Sequence, residues 1–222
     1  MCMDKPDVRI GVVPCWRSIP VKRFAIALSA AAMIAPATAA AAPVSYDFDR
    51  THTEISASWD HQGYSRQAIH FTQYDGTLDL DLEDPSSSVV DITFTLVDEG
   101  FWVGAHHERF VNHLNSADLF DTAQFPSARF VATSFETEDG TTGTMTGELT
   151  IRDLTHPVTL DVTLNRSDET SDGRSKLGFS ATGTLMRSEW GLGFAVPNIS
   201  DEVMLTIETE LVESAPAENA AE

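Results

Sequence analysis

The chain has 222 residues, 42% of them hydrophobic, with 14 Lys and Arg against 34 Asp and Glu and a formal net charge of -20. A surface this acidic repels phosphate backbones and disfavours anionic lipid surfaces, which excludes nucleic acid as a partner class. The apolar content suffices for one sizeable core, and all-β chains of this length commonly stay a single domain.

Residues 1–42 read as a leader. Lys22-Arg23 is a short basic stretch, and Phe24 to Ala35 is an apolar run of about a dozen residues, too short for a comfortable membrane span. Ala37-Thr38-Ala39 supplies the small-x-small cleavage pattern, with cleavage expected after Ala39 and Ala41 as the alternative. This layout predicts a bacterial protein that is periplasmic or secreted, with no stable membrane anchor once the signal is cut. Residues 1–20 are too long, too acidic and too proline-containing for a signal's basic region. The start is therefore expected at Val21, read as methionine, and the signal peptide over 21–39. Mass spectrometry of the unprocessed precursor should show no peptide containing Asp4 to Arg17.

Both cysteines, Cys2 and Cys15, precede the cleavage site. The mature chain is thus expected to hold no disulfide, no thiolate nucleophile and no Cys-bound metal. Removing 1–42 takes five of the 14 basic residues and only two of the 34 acidic ones, so the mature chain is more acidic still.

After the leader, the period is two almost throughout. Val44 to Phe48 and Ile55 to His61 read as the first strands, with Ile55, Ala57 and Trp59 on one face. Ile69 to Tyr74 continues extended, and Gly76 marks a break. Leu78, Leu80 and Leu82 then alternate with Asp79, Asp81 and Glu83, a strand with one wet face. That acidic row lacks the loop glycine and spacing of a calcium loop. Asp84 to Ser88 is a turn, and Val90, Ile92, Phe94 and Leu96 make another inward row. From Gly100 to Leu119 the period changes, and Glu108 to Leu114 reads as a short amphipathic helix. A second short helical or turn segment is expected over Ser116–Thr122, ended by Pro126.

A meander follows: Ala128–Phe135, Thr144–Ile151 and Pro157–Leu164, joined by Glu138-Asp139-Gly140 and by Arg152 to His156. Asp172-Gly173 marks a further turn. Leu177, Phe179 and Ala181 lead into Leu185 to Gly193, and Val203, Leu205, Ile207 and Thr209 finish the sheet. Ser214 to Glu222 reads as a disordered tail, so the folded domain is expected over 43–213. The tally is about eight to ten strands with one or two short helices and no βαβ rhythm. That is an all-β class, either a closed antiparallel barrel able to enclose a ligand or a sandwich.

Several pieces in fixed order resemble the YceI family of secreted lipid-binding proteins. They are His52-Thr53-Glu54-Ile55 with His61-Gln62-Gly63, then Phe71 through Gly76, then His113 to Asp121 with Gln124-Phe125-Pro126 through Phe130. The series closes with Gly147 to Ile151, Thr155-His156-Pro157-Val158, Gly178-Phe179 and Met186 to Leu192. The resemblance spans roughly Tyr46 to Leu211. It implies a single eight-stranded antiparallel lipocalin-like barrel with a hydrophobic tunnel, and a polyisoprenoid or related long-chain amphiphile as partner. Two departures stand out: the aromatic- and histidine-rich Glu99 to His107, and Leu119 where the family usually carries an aromatic residue.

Chemistry-bearing motifs are sparse. No Gly-x-Ser-x-Gly elbow, no Gly-rich phosphate loop and no mature cysteine occurs, so neither a catalytic residue nor a cofactor is expected and the protein is not read as an enzyme. His106, His107 and His113 with Glu108 form the one cluster that could hold a metal. Their spacing is not His-Glu-x-x-His, and adjacent histidines on a helix point about 100° apart, so no metal site is assigned. His52, His61 and His156 sit in or beside turns and read as structural. Inward alternation and the aromatic-rich mouth give the candidate ligand-binding residues as Trp59, Phe71, Phe94, Trp102, Phe130, Phe179 and Trp190. Arg187 joins them as a cation able to meet a phosphate head, or else to close the barrel end. The expected role is carrying or sequestering an isoprenoid or fatty-type chain, and a homodimer is compatible with it. The alternatives are a histidine-cluster metal protein or enzyme, and a solid-cored stress-protective module.

Overall fold

The computed structural model describes residues 42–104 and 108–216. The expected leader, His106-His107 and most of the expected tail lie outside the described residues. The alternating rows form eleven strands in one sheet. Strands β1 (Val44–Phe48) and β2 (Glu54–His61) are two halves of one bent strand, since both pair with β11 (Glu202–Glu213), through Phe48↔Leu211 and Ile55↔Ile207. Likewise β3 (Ser65–Phe71) pairs with β2, and β4 (Tyr74–Leu80) with β1. Next come β5 (Val89–Thr95), the two-residue β6 (Phe101–Trp102), helix α1 (Glu108–Leu114), β7 (Ser127–Thr137), β8 (Thr142–Ile151), β9 (Leu154–Glu169) and β10 (Ser175–Met186).

With β1 and β2 taken as one stave and β3 and β4 as the next, each stave pairs with the one that follows it, β11 returns to β1 and β2, and β6 adds only to β3. With each bent strand counted once, eight antiparallel staves close into an up-and-down barrel, so the principal staves leave no open edge. The sandwich alternative fails on that closure.

The barrel has two unlike ends. The hairpin end carries the β7–β8 and β9–β10 turns and the loop from β4 to β5, which contains a 3₁₀ turn at Pro85–Ser87. The helix end carries α1, the β2–β3 and β8–β9 turns, and a 3₁₀ turn at Arg187–Trp190 leading into the 191–200 loop. The long crossover from β5 to β7 folds over the helix end. Leu96 N–H binds Pro126 O at 2.8 Å, and Phe120 N–H binds Leu114 O at 2.9 Å.

Four local features depart from the simple alternation. The expected run Ile69–Tyr74 breaks at Thr72-Gln73, whose N–H groups both turn to Gly100 O and bring β6 alongside β3. The β8–β9 connection is two residues, not five. Arg152 adopts φ 58°, and Leu154 pairs directly with Ile151, which puts His156 inside a strand opposite Leu149. In β7 the register shifts between Ala132 and Ser134. One extra residue there, a bulge, allows Phe130 and Phe135 to line the same cavity although they are five apart. Gly76 lets β4 press against β5, because a Cβ there would stand 1.9 Å from Asp91 O. Ser214, expected in the tail, donates its N–H to Ser45 O at 2.8 Å.

The bend between β1 and β2 is held by side chains. Asp49 accepts from Thr51 Oγ1 at 2.6 Å and meets His52 Nδ1 at 2.8 Å, while Lys176 Nζ lies 2.6 Å from Glu210 and 3.8 Å from Asp49. The hydrogen bond from Thr51, with help from His52, lowers the Asp49 pKa to about 2. A carboxylate with a depressed folded-state pKa adds stability above its unfolded pKa and loses it as pH falls toward the folded value. The group sits at the surface end of the barrel, about a fifth exposed, so solvent screening keeps the effect on the order of 1 kcal/mol or less. Acid unfolding between roughly pH 4 and 2 should therefore be shallower in Asp49→Asn than in the parent, by fluorescence-monitored denaturation.

Candidate functional site

The inward rows do not meet in the middle. They enclose a cavity of about 410 Å3, within the range of small-molecule and cofactor sites. It extends from Phe110, Leu119 and Phe194 at the helix end to Leu82, Pro85 and Thr142 at the hairpin end. Its wall along β8 runs from Thr142 to Ile151. At about 3.3 Å per residue and a tilt of about 40°, that span is roughly 23 Å along the barrel axis. One leaflet of a bilayer is about 15 Å of hydrocarbon, so a chain of membrane length fits lengthwise.

The wall is apolar because strand parity makes it so. Val158, Leu160, Val162 and Leu164 of β9 all face the cavity, as do Val203, Leu205 and Ile207 of β11. Space remains because several wall positions are small: Ala57, Ala128 and Ala181 alternate with large neighbours. Gly147, on β8, allows Phe130 to lie flat across the backbone, since a Cβ there would sit 2.3 Å from the ring. Aromatic side chains pair along the wall. Phe71 and Phe94 have centroids 5.3 Å apart, and Trp59 meets Phe110 of α1 at 6.2 Å.

Five of the sequence-selected residues, Trp59, Phe71, Phe94, Phe130 and Phe179, stand in the cavity wall. Trp102 and Trp190 do not. Trp102 pairs with His70 in register and shares its outward parity, and the two rings lie 5.3 Å apart with Trp102 51% exposed. Its neighbour Phe101 is the buried member of the pair. Trp190 follows the end of strand alternation and is wholly buried elsewhere. Its Nε1–H donates to Leu149 O at 2.9 Å, and its ring meets His156 edge-on at 5.1 Å.

Arg187 touches the cavity but is bound to the backbone around it. Its Nε–H donates to Ser200 O at 2.9 Å, one terminal nitrogen donates to Leu192 O, and the other donates to Phe194 O and Ile199 O, each at 3.0 Å. Burial pulls its pKa below the usual arginine range, with the Asp201 charge opposing. The guanidinium thus folds the 191–200 loop over the barrel end, which is the closing role weighed against phosphate binding. Sequence reading missed the residues of that cap, Leu119, Leu192, Phe194 and Ile199, which all line the cavity. They lie in irregular segments, where periodicity carries no signal.

Of the histidine cluster, only His113 is described with its side chain. Its Nε2 lies 3.4 Å from Asp118, and its ring meets Phe194 edge-on at 4.6 Å. Among the described residues, one group brings three metal-capable atoms together, Asp49, His52 and Glu210. The Lys176 ammonium already sits between its two carboxylates.

Arg187→Met should leave four backbone carbonyls without their donor at a largely buried site. The expected loss is about 3 kcal/mol or more by chemical denaturation. Arg187→Lys should recover only a minor part, because an ammonium cannot reach four carbonyls in the same plane.

A family model described as a YceI-like domain matches residues 46–211. Protein YceI of Escherichia coli O157:H7 is 31% identical over 184 residues, covering 83% of this chain and 94% of the relative. The crystal structure of Campylobacter jejuni YCEI protein superposes with a TM-score of 0.60 at 28% identity, covering 66% of this chain and 85% of that one. A polyisoprenoid binding domain from Saccharophagus degradans, implicated in plant cell wall breakdown, has the same fold at a TM-score of 0.53 and 10% identity, covering 77% and 99%.

Proposed function

Since the chain belongs to the YceI-like family, we propose that it is an exported lipid-binding protein, periplasmic or secreted, that holds a long-chain isoprenoid or similar amphiphile in its barrel as a carrier or sequestering protein. The observation that carries this reading is the apolar cavity of about 410 Å3 extending between the two barrel ends. The Saccharophagus degradans domain supports the ligand class by its description, and its likeness here is one of fold. Export rests on the basic and apolar segments at Lys22 to Ala35.

The energetics favour a long oily ligand. Each buried methylene contributes about 0.8 kcal/mol, so ten contribute roughly 8 kcal/mol gross. Losses of chain freedom on ordering bring that down to a micromolar-range affinity. Such binding needs length and little polar detail, and the middle of the cavity offers little. The described wall is apolar along most of its length, which suits binding without turnover as the proposed activity.

Native mass spectrometry of gently purified protein should show a mass increment matching a hydrophobic ligand, or uptake of added isoprenoid alcohol. Ala181 faces the cavity from the middle of β10, and Ala181→Trp should lower that uptake at least about tenfold while the far-ultraviolet spectrum stays that of a barrel. An unliganded mass together with no uptake by the parent protein would sink the reading.

A further inference from the structure

The two ends of the cavity differ in charge. At the helix end the charged or titratable wall side chains are Arg187 and His113, and both are engaged. Arg187 donates to four backbone carbonyls, and His113 faces Asp118. Arg187 thereby uses four of its five N–H groups on its own chain.

At the hairpin end the wall carries carboxylates. Asp81 is only 8% exposed. Its Oδ1 accepts the N–H groups of Glu83 and Asp84, both at 2.9 Å, which explains half of the carboxylate as the clasp of its own loop. Its Oδ2 receives one bond, from Ser87 Oγ at 3.3 Å, and keeps acceptor capacity. The backbone donors hold the Asp81 pKa below the usual carboxylate range, so the group is charged at neutral pH. Among the described residues no Lys or Arg forms an ion pair with it. Glu136 lines the same mouth and, among the described residues, makes no ion pair or side-chain hydrogen bond.

Outside the mouth, a groove between the Pro85–Ser87 turn and the β7–β8 hairpin adds Asp84, Glu138, Asp139 and Asp161, with no basic side chain lining it. Some acids of the barrel have arginine partners, as in Asp91 with Arg129, Asp168 with Arg166 and Asp172 with Arg174, whereas Asp81 and Glu136 line the cavity without one.

Resting on the lipid-binding reading above, we infer that the cavity selects amphiphiles with a cationic nitrogen head, seated at the Asp81–Glu136 mouth, over the same chain carrying a phosphate head. The apolar tunnel supplies affinity for any chain of suitable length. The mouth supplies the sign: an ammonium pairs with carboxylate oxygens left open, whereas a phosphate is brought against like charge where water is partly excluded.

The test uses three ligands with one tail, dodecylamine, dodecanol and dodecyl phosphate, each below its micelle concentration. They compete with a neutral fluorescent hydrocarbon probe on the mature protein at pH 7. The amine is expected to bind about tenfold or more tighter than the phosphate, with the alcohol between. Asp81→Asn and Glu136→Gln should each narrow the ratio to about threefold, chiefly by improving phosphate binding. Equal affinities or a phosphate preference overturn the inference, and dodecanol binding in that case leaves the lipid-binding reading standing. Failure of all three ligands sinks both. If Asp81→Asn does not fold, an unchanged ratio in Glu136→Gln alone overturns the assignment.

Discussion

Everything in this protein depends on the closure of eight staves through the pairing of β11 with β1 and β2. Closure removes the principal sheet edges and forces every inward row to face the other rows across a fixed diameter. An eight-stranded barrel is wide enough that side-chain size decides whether the interior is filled or hollow. Here alanines at 57, 128 and 181 and the glycine at 147 tip the balance to hollow. An empty apolar space costs stability, because the side chains that line it forgo the contacts a filled core would give them. A chain seated in the cavity would recover many of those contacts, so binding and folding draw on the same interactions.

The wall of the cavity was legible in the sequence because a strand has a period of two. Once Leu160 was placed inward, Val158, Val162 and Leu164 had to follow, and they do. The same logic found Phe71, Phe94, Phe130 and Phe179. It failed where parity breaks. The bulge near Thr133 has no distinctive residue to announce it. Trp102 was chosen for its aromatic-rich surroundings, because a two-residue strand has no row to fix its phase, and its facing is set by the β3 register opposite Phe71 and His70. Trp190 lies in a 3₁₀ turn, where alternation says nothing. The helix α1 was found with its bounds intact because Phe110, Val111 and Leu114 recur with helical spacing.

Arg187 illustrates a different limit. An arginine near the end of a barrel reads as a site for an anion, and its charge does reach the cavity wall. What decides its role is the supply of acceptors, and those come from main-chain carbonyls of a loop between Leu192 and Ser200. Main-chain oxygens carry no side-chain signature, so no pattern in the residues could have shown that four of them converge. The polar seal at the helix end is therefore a tertiary fact, built from the backbone.

That seal gives the barrel a direction. The helix end spends most of the Arg187 donors on its own chain, and it exposes oily side chains, among them Tyr64 and Phe194. The hairpin end keeps carboxylate oxygens in reserve at Asp81 and Glu136, beside Leu82 at 41% exposure. A lengthwise tunnel binds an oily chain equally well in either orientation, since hydrophobic burial is non-directional. Orientation has to come from the ends, and the carboxylates that line the cavity lie at one of them. With a head seated at the Asp81–Glu136 mouth as inferred above, the tail would lie against the cap formed by α1 and the 191–200 loop. In this fold the strands set how much of a ligand is held, and the turns set which way round it lies.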